Sequence, residues 1–177
     1  MHVLMDRLAR AMALLGGTVL TLLVVMVCAS IAGRALAGAT GGLLGSIPGD
    51  FEIVEAGMAF AIFAFLPLCQ LEGAHASVDV FTGLLPPRAQ RWLRAAVELL
   101  FAAVLVLIFW QLWEGMESKR RSGQTTLLLQ FPVWWAYAAS LTGAAAAALV
   151  GIYVAAMRLA EAARGRDILP SDARADH

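Results

Sequence analysis

Apolar and polar positions fall along this chain in long blocks. Residues 11–33, 56–71, 99–113 and 132–157 contain no Asp, Glu, Lys or Arg. A helix rises about 1.5 Å per residue, so roughly 20 residues cross a hydrocarbon core of about 30 Å. The first and last blocks are long enough alone. The two middle blocks reach that length when each takes in one acid near an end, Glu55 and Glu98. The pattern predicts four membrane helices, over about 11–33, 52–71, 92–113 and 133–157. After the second, Val78, Phe81 and Leu85 recur at i, i+3 and i+7, which predicts a short amphipathic helix lying in the headgroup plane. The Leu84-Leu85-Pro86-Pro87 run ends it, and Pro87 can open the third membrane helix. The expected fold class is therefore an all-α integral membrane protein. Residues 1–177 form a single four-helix domain in this reading, with a polar tail over 158–177.

Composition agrees. Of the 177 residues, 60% are hydrophobic, above the roughly half of a soluble domain. A formal net charge of zero leaves no basic face for nucleic acid. Cys28 and Cys69 each stand alone in an apolar run, without a CxxC or a Cys/His cluster, so neither a zinc site nor a disulfide framework is expected. The first block is longer than the usual signal-peptide core of about 7–15 residues, so a retained helix is expected in preference to a cleaved leader.

Basic residues set the orientation. Four helices place both termini on one side, and that side carries nine Lys or Arg against four on the other. The positive-inside rule puts both termini in the cytoplasm. Trp92 falls at the inner end of the third span. Trp110, Trp113, Trp134 and Trp135 fall at outer ends, the headgroup level that amphipathic rings favour. The triplet Lys119-Arg120-Arg121 lies on the outer side, against the rule. It either meets the C-terminal dipole of the third helix or steers an acidic partner.

The candidate chemistry is sparse. Asp50, Glu52 and Glu55 crowd the start of the second span, where acids complement a helix dipole and free N–H groups. Alternatively Glu52 and Glu55, three apart on one face, contact a partner protein. Arg88, Arg91 and Arg94 form a stripe toward the anionic inner leaflet, and Arg94 is spaced to pair with Glu98. In the fourth span Ala139, Gly143, Ala147 and Gly151 form a row of small residues that lets backbones approach closely, a packing face either within the chain or against another subunit. The glycine-rich segment before residue 50 lacks the GK[ST] of a nucleotide loop. A haem anchor needs axial histidines within the membrane, and His2, His75 and His177 all lie outside the spans. Around Glu72, His75 and Asp79 no nucleophile, base and orienting group converge, so an enzyme, a metal or a cofactor is not expected.

With the spans in place, two stretches carry a family resemblance. One is "EIVEAGMAFAIFAFLPLCQLEGAHASVDVF", an acid opening the second helix and a Gly-Ala-His-x-x-Val-Asp exit. The other is "RSGQTTLLLQFPVWWAYAASLTG", a polar outer loop, a short apolar run, Phe-Pro and then aromatics. Together they resemble the small, Q-type membrane subunit of TRAP (tripartite ATP-independent periplasmic) transporters. Phe51 stands where many members carry Trp. The resemblance implies a scaffold for a large membrane subunit in the bacterial inner membrane, which helps to dock a periplasmic substrate-binding protein for sodium-driven uptake of an organic anion. It implies docking by Glu52, Lys119, Arg120 and Arg121. It also makes Glu55, Gly73, His75 and Asp79 a structural motif, in which His75 and Asp79 lock the turn after the second helix or simply surface at the interface. The alternatives are the small four-helix subunit of a tricarboxylate transporter and an orphan assembly factor.

Overall fold

Each charge-free block lies inside a longer helix. The computed structural model describes residues 2–37, 45–73 and 86–164. Four helices run through them: α1 His2–Leu36, α2 Asp50–Glu72, α3 Pro87–Ser122 and α4 Trp134–Arg164. All four are long and apolar enough to cross a membrane. The amphipathic helix expected between α2 and α3 falls on residues 74–85, outside the described residues.

The helices overrun the predicted spans wherever polar sequence follows. Charges end the hydrocarbon-length count, but they do not end a helix when they pair one turn apart. Arg10 meets Asp6 at 2.9 Å before the first span, and Glu117 meets both Arg120 and Arg121 at 3.3 Å beyond the third. Likewise α4 continues to Arg164, into the segment assigned to the tail, with Arg158 and Glu161 paired at 3.1 Å and nearly buried. Cys28 and Cys69 are both free thiols.

α4 is the centre. More than half of its apolar stretch, 56%, is buried within the chain, against 11% to 22% for the other three. It packs along both α2 and α3, while α1 packs along α2. The small-residue row explains how one helix serves two neighbours. At 3.6 residues per turn, an i, i+4 row drifts about 40° per step around the helix. Gly143 therefore faces α2, where a Cβ would stand 2.7 Å from the Phe63 carbonyl carbon. Gly151 faces α3, where a Cβ would stand 2.9 Å from Leu105 and 3.6 Å from the Ala102 Cα. Ala147, fully buried between them, clusters with Leu105, Ala148, Leu66 and Phe109. Ala139, in the same row, is exposed within this chain, because the drift turns it into a shallow apolar groove between α1 and α2 beside Leu22 and Trp135.

α1 is attached by a narrower seam. Its buried residues, Ala9, Gly16, Leu23 and Ser30, are spaced seven apart, the repeat that keeps one edge of a helix on its partner. Gly16 lies over Ala64, and Leu23 fills the space above Gly57. Near the termini, His2 stacks on Tyr153 at 6.1 Å, which fixes the start of α1 against the end of α4.

One polar contact ties α2 to α3 near that end. Gln70, buried, donates from Nε2 to Oε2 of Glu98 at 2.6 Å. The expected Arg94–Glu98 pair does not form. Arg94 is exposed, and the acid turns inward to an amide that is itself shielded from water. An acid inside a membrane edge is tolerated when it is hydrogen-bonded toward protein.

Substituting Gly143→Leu should destabilise the chain by about 1–3 kcal/mol or more, since the new side chain strikes backbone rather than a movable side chain. Gly17→Leu, where a Cβ meets nothing within 4 Å, should be tolerated. Thermal unfolding of both variants in detergent checks the contrast, and equal melting temperatures would contradict the packing described.

Candidate docking site at the loop end

The end of the bundle opposite the termini is built around two acids of the first turn of α2. Asp50 accepts from the Ser30 hydroxyl at 2.6 Å and from the Phe51 N–H at 2.8 Å, while the Ile47 N–H donates to Ser30 Oγ at 3.2 Å. The last buried position of the α1 seam thus pins both sides of the turn into α2. That turn passes through Gly49 at φ 75°, the left-handed region that glycine enters without cost.

Glu52 reaches the other way. Its side chain is buried, 4% exposed, and both carboxylate oxygens accept backbone N–H groups of the loop between α3 and α4. Leu128 N–H donates to Oε1 at 2.7 Å and Leu129 N–H to Oε2 at 3.0 Å. Two charge-assisted bonds from successive amides hold the loop tip in one place. The loop is a hairpin, with Thr126 N–H donating to the Phe131 carbonyl and Val133 N–H to the Gln124 carbonyl, each at 3.0 Å. Gln130 takes a positive φ of 53° at its turn. Leu129 packs over Gly49 so closely that a Cβ there would lie 2.5 Å from its Cγ, so this glycine is needed for space as well as for φ. The result is a rigid tip whose three leucines point outward, Leu127, Leu128 and Leu129 being 82%, 55% and 41% exposed.

The basic triplet stands beside this hairpin on the overrun of α3. From Trp113 to Ser122 the helix continues for about 14 Å at 1.5 Å per residue. Lys119 Nζ donates to Gln124 Oε1 at 2.7 Å and so braces the hairpin root. Arg120 and Arg121 share Glu117 and remain exposed. Such surface pairs contribute little to stability, typically about 0–1 kcal/mol.

The other expected site residues separate. Glu52, read either as a helix-start acid or as a partner contact, is buried and holds the loop between α3 and α4 through two backbone N–H groups. Glu55, one turn on, is exposed and makes no hydrogen bond or ion pair with the described residues. Gly73 closes α2 at φ 63° with its N–H on the Cys69 carbonyl, an αL cap. His75 and Asp79 lie outside the described residues. Arg88 and Arg94 are exposed at the start of α3, and Arg91 is half-buried. Among the described residues no group of three His, Cys, Asp or Glu side chains could hold a metal.

Sequence reasoning missed the Glu52–hairpin lock and the Ser30–Asp50 contact. The first has no local signal, since its partners are 76 and 77 residues apart and the acceptors' partners are backbone amides. The second was signalled by the seven-residue spacing of Ala9, Gly16, Leu23 and Ser30.

Replacing Glu52 by Ala leaves two loop amides without their acceptor, a loss of about 1–3 kcal/mol. Amide exchange in the peptide spanning 124–133 should then accelerate by about 10- to 100-fold, with little change in the middle of α4. Unchanged exchange at Leu128 and Leu129 would contradict the lock.

Residues 23–162 match the family described as tripartite ATP-independent periplasmic transporters, DctQ component. No curated protein and no solved structure matches the chain.

Proposed function

Because the chain belongs to the DctQ family and is a small membrane component of a TRAP transporter, we propose that its loop end receives a periplasmic substrate-binding protein while its helices brace the large membrane subunit. The transported species in this reading is an organic anion, a carboxylate or an acidic sugar, taken up with sodium across the bacterial inner membrane. Both termini are cytoplasmic, as the nine-to-four distribution of Lys and Arg favours. The small subunit needs no catalytic centre or cofactor of its own for this. Arg88, Arg91 and Arg94 then meet the anionic inner leaflet.

The observation that carries the docking reading is the hairpin fixed by Glu52. A surface that a partner must meet and leave many times gains from being preorganised, since no loop has to be ordered on each encounter. Three exposed leucines give such a surface apolar contact, and the α3 overrun beside them gives it charge. The triplet is moderated by its neighbours. With Glu114 and Glu117 counted, the overrun carries three positive and two negative charges, a net of +1. Steering by this patch is therefore expected at the weak end of the electrostatic range, about tenfold in encounter rate.

Neutralising Lys119, Arg120 and Arg121 to Gln together should slow uptake by up to about tenfold at limiting binding protein and low salt. The deficit should shrink as ionic strength rises toward 1 M, where screening acts over about 3 Å. Uptake assays in vesicles holding both membrane subunits check this. Unchanged uptake at limiting binding protein and low salt would leave the triplet with only its helix-terminal role.

A further inference from the structure

α2 and α3 are both held by α4, and they diverge from each other. Near the termini Gln70 reaches Glu98, whereas at the loop end α4 floors the gap between them and the 123–133 hairpin walls it. The gap is a cavity of about 470 Å³, within the size range of small-ligand sites. Its body is apolar, with Phe63, Leu112, Phe131 and Tyr137 among its walls. Two polar groups on its lining have no partner among the described residues. The Ser140 hydroxyl is buried without a hydrogen-bond partner, the residue being only 2% exposed, whereas the Thr126 hydroxyl lies against the Glu52 carboxylate. The Glu55 carboxylate forms no ion pair with the described residues, and no Lys or Arg lines the cavity. At this end Lys119 is engaged with Gln124, and Arg120 and Arg121 with Glu117.

A buried hydroxyl and an intramembrane carboxylate both cost free energy when unpaired. What satisfies them must bring a cation for Glu55, an acceptor for the Ser140 hydroxyl proton and an apolar body. The cavity lining begins at Phe51 and Val133, level with Trp134 and Trp135, and runs inward to Phe63 and Ser140, so its mouth is at headgroup depth and its body within the hydrocarbon. We propose that it binds one phospholipid whose headgroup carries a primary ammonium. The ammonium donates to Glu55, a phosphate or ester oxygen accepts from Ser140, and an acyl chain runs along Phe63 and Leu112. A basic side chain from a membrane partner would neutralise Glu55 but bring no acceptor for the Ser140 hydroxyl. An anionic lipid would bring acceptors but no cation. The inference does not depend on the transport reading.

The test uses the full-length chain, purified in detergent, stripped of lipid and titrated with dioleoyl phosphatidylethanolamine or dioleoyl phosphatidylglycerol while adducts are read by native mass spectrometry. The wild type should retain one ethanolamine lipid at a concentration about tenfold lower than the glycerol lipid, the effect of one charge-assisted hydrogen bond. Glu55→Gln, at an exposed residue with no contacts to lose, should abolish that preference. Ala59→Phe and Leu112→Trp, which fill the cavity from opposite walls, should each remove the adduct. Equal retention of the two lipids by the wild type, or a preference that survives Glu55→Gln, overturns the proposal. So does the pattern of a partner's side chain in the cavity: no lipid preference in the wild type, with Glu55→Gln abolishing co-purification of a membrane protein.

Discussion

The close approach of α4 to two neighbours governs the rest of this structure. In lipid there is no hydrophobic drive between helices, so association depends on how near the backbones can come. Gly143 admits α2 and Gly151 admits α3, and the drift of the row between them sets the two helices on different sides of α4. α2 and α3 are therefore joined through α4, meet each other near the termini at Gln70 and Glu98, and part toward the loops. The hairpin after α3 spans the opening, and the cavity beneath it is what the divergence leaves. α1 hangs on α2 by a seven-residue seam, and so Leu14, Leu22 and Val25 on α1, like Leu100 and Leu107 on α3, remain exposed for lipid or for another subunit.

Polar groups then fix what packing leaves loose. A loop above a membrane would ordinarily be the most mobile part of such a chain. Here Glu52 shares its charge between two loop amides, and Asp50 and Ser30 hold the facing turn. Glu52 and Glu55 show how one turn of helix separates two fates for the same residue type. The first is buried and doubly bonded; the second is exposed, without an ion pair among the described residues, and set on the lining of an apolar cavity.

Much of this was legible in the sequence, and the limits have physical causes. Charge-free blocks located all four helices, since hydrocarbon tolerates few unpaired charges. They understated helix length, because Asp6–Arg10 and Glu117–Arg121 sustain helix in water as well. The small-residue row was visible, but which neighbour each member meets was not, since the drift around the helix turns Gly143 to α2 and Gly151 to α3 and leaves Ala139 exposed. The Arg94–Glu98 spacing was a sound local expectation that lost to Gln70, a partner 28 residues away. Glu52 was noticed as an acid at a helix start. Its actual role could not be read from spacing, because backbone amides carry no sequence signature.

The central claim is that a preorganised hairpin on this subunit is where the binding protein lands. A photo-cross-linking residue at Leu128, introduced into the assembled transporter in membranes, tests it most directly. Irradiation with substrate-loaded binding protein should give an adduct at Leu128, lost when Glu52→Ala is added, and none from the same probe at Leu14 on the exposed face of α1. An equal yield at Leu14, or no adduct at Leu128 while transport proceeds, would contradict the account.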